Sequence, residues 1–461
     1  MSSLIFQAID WLVTDYEEFN EDEEDSINIK YLIKIFGRDI NGNHISVNVK
    51  DYPCYFYVKG IDNLQGIKNS NNIKDSAHNN ILYQLQNHIE NNLPNKYKNS
   101  IKKCKIVRKK DIWGFTNNKS FKFIFLSFTN YKAMKIASNL FLKAISLGSF
   151  KNLKFQLYEN NIEPYLRFVH KQDLQISGWL QVNENKYTDT YEFNVKTGKN
   201  YNVSWKDVKP YQSSNIASFI IGSYDIECNS YDGSFPCAIK TYDTFVHGLL
   251  DYYNSLNNEI KEIKQEKIFQ YILNKLQDNT MNFKEKLNID KITEILYIQI
   301  EDIVSILKGK LQFEKESIKR NKIKNLSSYF QFDNHVEEGN DLTSTEIVDK
   351  LVEKFSKMLP KLNGDPVIQI GTTFHKYGDK DCYKKIIVTL DTCSDISGSQ
   401  VISCKTEKEL IKTWVDIINK IDPDIITGYN ILGFDFNYLY HRAMELNCVE
   451  YLCNLGKLTE P

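Results

Sequence analysis

The segment ASFIIGSYDIEC, residues 217–228, constrains the fold more than any other part of the sequence. It carries no charge until its end, where Asp225 and Glu227 stand two positions apart. A strand with so few charges is typical of one that is covered on both faces. Because side chains at positions i and i+2 of a strand share a face, the two carboxylates project together. The segment therefore predicts a core strand that ends in an acidic pair.

The segments near the carboxyl end extend this prediction to a layered domain. Alternating apolar residues predict strands over 365–374 and 384–391. Thr406 and Glu409 have the spacing of a capping box, which predicts the start of a helix. A further strand is predicted over 424–429, and an apolar stripe predicts a last helix after it. Three strands, a helix, a strand and a helix indicate an α/β fold with helices packed on a sheet.

The amino-terminal part of the sequence is rich in strand patterns. Residues 28–60 alternate apolar and polar side chains on both sides of the dipeptide Asn41-Gly42, a strong hairpin signal. The acidic residues 15–25 before it predict a loop, and residues 131–148 predict a helix. We expect a β-rich amino-terminal domain.

Length and composition divide the chain further. A chain of 461 residues is too long for one core, and we expect domains over 1–213 and 214–461. Residues 240–362 are rich in Lys, Glu and Asn with helical periodicity, which predicts a helical insertion. The net charge of −1 gives no global attraction to nucleic acid. Basic clusters at 101–110 and 317–325 could bind DNA locally, or could be ordinary solvated faces.

The acidic pair has a chemical interpretation. Two adjacent carboxylates repel each other, and a hard divalent cation such as Mg²⁺ compensates them while keeping positions open for water and phosphate. Asp435 is a candidate third acid, because it stands at the predicted start of the last helix, where the helix dipole favours an anion. Two ions so held can activate water and stabilise the leaving oxygen of a phosphodiester. Alternatively, the pair lies on the solvated surface and Asp435 only caps its helix.

Several segments resemble one protein family. Residues 224–236, YDIECNSYDGSFP, resemble the first exonuclease motif of family B DNA polymerases, and residues 422–443 resemble the second, with its pattern N-x-x-x-F-D. Residues 364–371 resemble the strand between these motifs. Residues 33–58 and 164–182 are similar to the amino-terminal domain of the delta-type replicative branch. The Tyr- and Asn-rich composition resembles that of members from large DNA viruses.

This resemblance implies an RNase H-like 3′→5′ exonuclease domain with a mixed sheet, and it implies roles for particular residues. Asp225 and Glu227 would be metal ligands and Asp435 would hold the second of two Mg²⁺ or Mn²⁺ ions. Asn430 and Phe434 would bind the single-stranded 3′ end of a DNA primer, with the Phe434 ring against a base. Ordinary core packing is the alternative for Phe434.

The sequence also departs from the family pattern. The segment 436–461 lacks the Tyr-x-x-x-Asp of a third exonuclease motif, and no polymerase palm is present. We therefore expect weak or no exonuclease activity from this chain alone. The sequence would be either an incomplete gene product or half of a split polymerase whose second chain carries the palm. Residues 377–382, YGDKDC, resemble a palm motif but predict a Gly/Asp turn between two strands.

Two other function classes stay open at this level. One is a non-catalytic DNA-binding or scaffold subunit of a split polymerase, and the other is a free-standing nuclease of the same fold. The expected partner is DNA, with a sliding clamp or accessory subunits as further candidates. No apolar run reaches the roughly 18 residues of a membrane span, and no basic signal-peptide segment opens the chain. We expect an intracellular protein of the nucleus or a viral replication compartment.

Overall fold

A computed structural model describes residues 3–19, 27–60, 76–148, 150–231, 233–256, 261–278, 281–309 and 342–459. The strands of these residues, in chain order, are β1 (Leu4–Phe19), β2 (Ile27–Asp39), β3 (His44–Lys50), β4 (Cys54–Lys59), β5 (Ile101–Lys110), β6 (Ser120–Phe128), β7 (Ile145–Leu147), β8 (Phe150–Leu153), β9 (Gln156–Tyr158), β10 (Trp179–Val182), β11 (Tyr187–Thr190), β12 (Lys199–Ser204), β13 (Val208–Pro210), β14 (Ile220–Cys228), β15 (Val367–Lys376), β16 (Lys384–Leu390), β17 (Gln400–Cys404) and β18 (Ile425–Thr427). The α-helices are α1 (Ser76–Asn92), α2 (Tyr131–Leu140), α3 (Pro164–Lys171), α4 (Asp243–Ser255), α5 (Lys261–Gln277), α6 (Ile289–Leu307), α7 (Ser344–Met358), α8 (Glu407–Ile421), α9 (Asp435–Glu445) and α10 (Val449–Cys453), and a 3₁₀ turn spans Asn95–Tyr97.

The amino-terminal part is built around two sheets that share one apolar core. A seven-stranded sheet has the order β11-β12-β3-β2-β1-β10-β13, and a four-stranded sheet has the order β5-β6-β4-β9. The predicted hairpin is confirmed, because β2 and β3 pair antiparallel on either side of Asn41-Gly42. Gly42 has φ +79°, a conformation that glycine adopts without strain. This part is β-rich, as predicted.

The predicted loop over residues 15–25 is wrong for its first five residues. Strand β1 continues to Phe19 and stays paired with β2 to its end. The Asp15 carboxylate explains why an acid fits there, since it accepts hydrogen bonds from the backbone N–H groups of Tyr131 and Lys132 at the start of α2. Residues 20–26 lie outside the described part of the chain.

The helix predicted over 131–148 is too long. Helix α2 ends at Leu140, and residues 145–147 form strand β7 instead. The Asn130 side chain begins the helix by accepting a hydrogen bond from the Ala133 N–H. The apolar residues near position 145 satisfy a strand as well as a helix, and their pairing with β8 decides between the two.

The second layered region confirms the mixed α/β fold class. Its five-stranded sheet has the order β17-β16-β15-β14-β18. Strands β14, β15 and β16 pair antiparallel, whereas β18 runs parallel to β14 and β17 runs parallel to β16. The sequence interpretation missed β17, a short edge strand. Residues 377–382 form the predicted turn between β15 and β16, with Gly378 at φ +93°.

Helix α8 and helix α9 cover this sheet. Thr406 caps α8 through a hydrogen bond from the Glu409 N–H to its hydroxyl oxygen at 3.2 Å, in line with the predicted helix start. Trp414 of α8 is fully buried against the sheet and donates a hydrogen bond to the Thr372 hydroxyl at 3.0 Å. The Trp414 hydrogen bond joins α8 to β15, the strand that pairs with the one carrying the acidic pair.

Helices α4 to α7 form a separate apolar cluster that includes Val246, Ile300 and Phe355. The predicted basic cluster 317–325 lies outside the described residues. Near the end of the chain, the Lys196 N–H donates to the Lys457 carbonyl at 2.8 Å, which joins the last residues to the amino-terminal part. None of the helices in the described ranges has the length and apolarity needed to cross a membrane. The boundaries proposed for the domains and the insertion stay predictions.

Candidate active site

Asp225 and Glu227 occupy the end of the central strand β14. The strand alternates as the sequence predicts: Tyr224 and Ile226 are buried, whereas the two acids are exposed. Tyr224 packs against Trp414 of α8 with 4.8 Å between ring centroids. The buried residues fix the strand to the helix layer, and the carboxylates therefore project together on its opposite face.

Asp435 reaches this strand from α9. It is the first residue of the helix, is only 2% exposed, and accepts a hydrogen bond from the Ile226 N–H at 3.2 Å. Ile226 lies between the two strand acids, so this bond brings the helix acid to the same end of β14. In the turn before the helix, the Asn430 carbonyl accepts hydrogen bonds from the N–H groups of Gly433 and Phe434.

The electrostatics of this cluster are unfavourable for its charges. Burial raises the pKa of Asp435 above its ordinary value, and the neighbouring Asp225 carboxylate adds to this rise, against the lowering effect of backbone hydrogen bonds. Among the described residues, no Lys, Arg or His forms an ion pair with Asp225, Glu227 or Asp435. Within the described ranges, these carboxylates are thus without a compensating cation.

A hard divalent cation suits this donor set, because all three side chains offer carboxylate oxygens. The arrangement is incomplete, however. Within the described ranges, no three acidic, histidine or cysteine side chains lie close enough together to hold a metal ion. Asp225 and Asp435 are neighbours, and Glu227 shares their strand end without completing the group. The metal-ligand roles of all three residues stay predictions.

The residues predicted to bind a primer end lie beside the acids. Asn430 is exposed with φ +52°, and Phe434 is half-buried immediately before Asp435. The Phe434 ring packs edge-on against Phe235, with 6.0 Å between centroids, and against Tyr438 at 5.4 Å. Phe235 is 75% exposed. The sequence interpretation did not single out Phe235, although it stands in the same motif as Asp225.

A buried ion pair that the sequence interpretation also missed holds α9 in place. Arg442 donates to Glu407 through Nε at 2.8 Å and through Nη2 at 2.7 Å. Burial opposes the charge of Arg442, but the hydrogen bonds and negative charge of Glu407 raise its pKa. Glu407 also accepts a hydrogen bond from the Val367 N–H at 2.9 Å, which links α8, α9 and β15. This link positions the helix that carries Asp435.

The backbone at Gly428, just after β18, passes very close to the backbone of β14. A Cβ atom on Gly428 would lie 2.4 Å from the Tyr224 carbonyl oxygen, well inside contact distance. Only glycine allows the chain after β18 to pass this close to β14. The turn that begins at Asn430 is thereby held beside Asp225.

Comparison with known families assigns this region. The family model described as "DNA polymerase family B, exonuclease domain" matches residues 155–302 and 343–461, more than half of the chain. The chain therefore belongs to the family B DNA polymerases, through their exonuclease domain.

Individual relatives agree with this assignment. The DNA polymerase of Pyramimonas orientalis virus is 37% identical over 98% of this chain and 37% of its own length. That of Phaeocystis pouchetii virus is 27% identical over 96% of this chain and 46% of its own. The delta catalytic subunit of Dictyostelium discoideum is 43% identical over 22% of this chain and 9% of its own. The chain spans less than half the length of these relatives.

Among solved structures, the family B DNA polymerase of Pyrobaculum calidifontis aligns with a TM-score of 0.45 and 11% identity. The alignment covers 96% of this chain and 32% of that one.

Proposed function

We propose that this chain is the amino-terminal portion of a DNA-directed DNA polymerase that acts in DNA replication, and that its acidic cluster is a 3′→5′ proofreading exonuclease site. One observation carries the proposal. The hydrogen bond from the Ile226 N–H to Asp435 brings the acid of the second sequence motif beside Asp225 of the first. A helix cap alone would not need a buried carboxylate beside Asp225.

Asp225, Glu227 and Asp435 would hold the two Mg²⁺ or Mn²⁺ ions of this reaction. When bound, such ions activate water and stabilise the leaving oxygen of a phosphodiester. Asp435 is fixed by its backbone hydrogen bond and by its place at the helix start, so it offers a preorganised ligand. The carboxylates of Asp225 and Glu227 are exposed, so an incoming cation can reach both.

The aromatic pair Phe434 and Phe235 gives the site a means to select its substrate. An exposed ring edge beside the acids offers a surface on which an unpaired terminal base can stack. A mispaired primer end separates from its template at lower cost than a paired one, so it reaches the site more often. This preference is what proofreading requires.

Metal binding tests the proposal without depending on the rest of the polymerase. Calorimetric titration of the chain with Mn²⁺ should show saturable binding, and Asp225→Asn and Asp435→Asn should each weaken it at least tenfold. The matched control is Asp416→Asn, which removes an exposed acid from the outer side of α8 and should leave binding unchanged. If Mn²⁺ binding is absent, or equal in all four proteins, the scaffold interpretation replaces this one.

Activity is tested on the polymerase that contains this chain. Single-stranded DNA labelled at its 5′ end should be shortened from the 3′ end in the presence of Mg²⁺, and Asp225→Ala should reduce this to background. Phe434→Ala should reduce the preference for mispaired over paired ends. If the Phe434 variant and the unchanged protein show the same preference for mispaired over paired ends, the stacking role is removed from the proposal.

A further inference from the structure

The loop that follows the acidic pair of β14 is tied to the start of β15. It comprises residues 229–231 and 233–242 of the described chain and is here called the motif loop. The Cys237 N–H donates a hydrogen bond to the Asp365 carboxylate at 3.0 Å, and the Asp365 N–H donates to the Cys237 carbonyl at 2.9 Å. Asp365 is buried and also pairs with the Lys240 ammonium at 2.9 Å. The base of the motif loop therefore has a fixed position.

The motif loop borders both the proposed exonuclease site and a separate pocket. Its Phe235 ring packs against Phe434, the residue immediately before Asp435. The neighbouring Ser234, together with Lys240, lines a pocket of about 540 Å³ to which helices α4 and α5 also contribute. Small-molecule sites usually have volumes of about 300–1,000 Å³, so this pocket is large enough to bind a ligand. The acids of the exonuclease site do not line it.

Rings and a thioether supply the apolar part of this pocket. Phe245 of α4 and Tyr271 of α5 line it, together with Met281. The Tyr271 ring is stacked on Tyr252, with 4.5 Å between centroids. The Phe245 ring packs edge-on against Phe355 at 5.0 Å, so both rings are held in place. Aromatic rings and methionine thioethers are surfaces on which the flat rings of nucleobases pack well.

The polar part of the pocket offers a partner for an anion. The Lys275 side chain lines the pocket and is 41% exposed, and its ammonium pairs with the exposed Asp278 at 3.4 Å. An exposed ion pair of this kind contributes little free energy, so the ammonium can exchange its partner for a ligand. Asp243 brings one negative charge to the lining, and the Thr241 hydroxyl donates a hydrogen bond to it. An anionic group is therefore expected beside Lys275 rather than beside Asp243.

We propose that this pocket binds a nucleoside 5′-monophosphate, with its base against Phe245 and Tyr271 and its phosphate paired with Lys275. A molecule of this class joins a flat aromatic base to a charged phosphate, and the pocket offers a counterpart to each. Fixed rings favour the bound base because they lose no freedom when it arrives.

The source of this nucleotide would be the proposed exonuclease reaction, and to that extent its assignment rests on the proposed function. Hydrolysis of the last phosphodiester of a DNA strand adds water to the phosphorus, leaves a 3′-hydroxyl on the strand and releases the terminal nucleotide as its 5′-monophosphate. A nucleotide in the pocket would contact the motif loop at Ser234, beside the exposed Phe235. The product of each cut would thereby act on the loop that helps to bind the next primer end.

The test is isothermal titration calorimetry of the whole chain with dAMP, deoxyadenosine and inorganic phosphate. The buffer contains EDTA, so the acidic cluster holds no metal and contributes no nucleotide binding. We expect dAMP to bind at least about tenfold more tightly than deoxyadenosine, since only dAMP can pair with Lys275. Phosphate alone lacks the base and should bind more weakly than dAMP. Absent dAMP binding, or equal affinity for dAMP and deoxyadenosine, would overturn the proposal.

Two variants locate the binding. Lys275→Ser should lower the affinity for dAMP about tenfold, to that for deoxyadenosine. Its matched control is Lys264→Ser, which removes a lysine of the same helix that does not line the pocket, and should change the affinity less than about twofold. Gly248→Leu should abolish binding, because a Cβ atom at this position of α4 already lies 3.1 Å from the Tyr271 hydroxyl and a longer side chain occupies the pocket. Leucine is a better helix residue than glycine, so this change does not weaken α4 itself.

Photo-crosslinking with 8-azido-dAMP gives a readout on the unchanged protein, should a variant fail to fold. Crosslinked peptides should come from the motif loop, α4 or α5, and excess dAMP should suppress them. Crosslinks confined to the amino-terminal sheets, or equal dAMP affinity of the Lys275 and Lys264 variants, would overturn the proposal. A chain that binds Mn²⁺ but not dAMP keeps the proposed exonuclease site and lacks this nucleotide site. The reverse result keeps the nucleotide site and removes the proposed exonuclease.

Discussion

Glu407 and Asp435 are two buried acids with the same position in a helix and similar backbone contacts. Each is the first residue of a helix, and their side chains are 8% and 2% exposed. Each accepts a hydrogen bond from a strand amide, Glu407 from Val367 at 2.9 Å and Asp435 from Ile226 at 3.2 Å. They differ in their charged neighbour, which is Arg442 for Glu407 and Asp225 for Asp435.

This difference separates an acid that pairs with an arginine of the fold from one that we propose as a metal ligand. Glu407 receives two hydrogen bonds from Arg442, so the fold itself neutralises it. Asp435 is buried and faces another acid, and both features disfavour its charge. Proteins tolerate such unfavourable groups where function requires them. The comparison predicts opposite responses of the two sites to removal of charge.

The largest effect is expected when the fold's own cation is removed. Arg442→Met leaves Glu407 buried and uncompensated, and should lower the free energy of unfolding by about 3–5 kcal/mol. Urea denaturation measures this, with Glu353→Ala, which breaks an exposed pair with Lys357, as a control that should show no measurable change. A loss no greater than that of the control would contradict the structural role of the pair.

Replacement of Glu407 should destabilise the protein less than replacement of Arg442. In Glu407→Gln, Arg442 keeps its ion pair with Glu445 at 3.0 Å and its hydrogen bond to the Ala238 carbonyl. The substitution replaces one charged hydrogen-bond acceptor by a neutral one. We therefore expect the free energy of unfolding to fall by about 1–3 kcal/mol in the same denaturation experiment. Equal losses of stability for the two variants would mean that Glu445 does not compensate the charge of Arg442 when Glu407 is removed.

Asp435→Asn should act in the opposite direction. The amide oxygen can still accept from the Ile226 N–H, while the uncompensated charge disappears, so metal-free protein should gain about 0.5–2 kcal/mol at pH 7. Because the pKa of Asp435 is raised, the unchanged protein loses this charge as the pH falls toward the ordinary aspartate range. The advantage of the variant should therefore shrink from pH 7 to pH 4. A stability difference that is constant over this range would show that charge is not its cause.

The smallest effect on the metal-free fold is expected at the exposed member of the cluster. Asp225→Asn should change the free energy of unfolding by less than about 0.5 kcal/mol, as for most surface substitutions. Saturating Mn²⁺ should raise the thermal midpoint of the unchanged protein but not that of this variant, because a ligand stabilises only the state that binds it. An equal Mn²⁺-induced rise in both proteins would exclude Asp225 as a ligand.

Local patterns were enough to predict much of the exonuclease region. The alternation of β14, the capping of α8 by Thr406 and the turn at residues 377–382 depend on neighbouring residues alone. Patterns failed where a distant partner decides the outcome. Strand β1 continues through an acidic stretch because Asp15 caps α2, more than a hundred residues away. Strand β17 exists because the edge of β16 is available to it.

The same limit explains the other features that the sequence interpretation missed. The spacing of Glu407 and Arg442 in the sequence does not predict an ion pair, because the two residues lie on different helices. The basic run 101–110 shows its aromatic partners only when β5 pairs with β6 and sets Lys105 beside Phe125. Likewise, the surface that Phe235 offers beside Phe434 depends on two loops meeting.

The sequence by itself determined which residues could carry the chemistry: the acids at 225, 227 and 435, their place at a strand end and a helix start, and the family to which their motifs belong. The tertiary structure decided which of these acids face each other and which buried charge receives a cation. The physical reason is range. Strand alternation and helix capping act between residues a few positions apart, whereas the energy of a buried charge depends on every group that folding brings next to it.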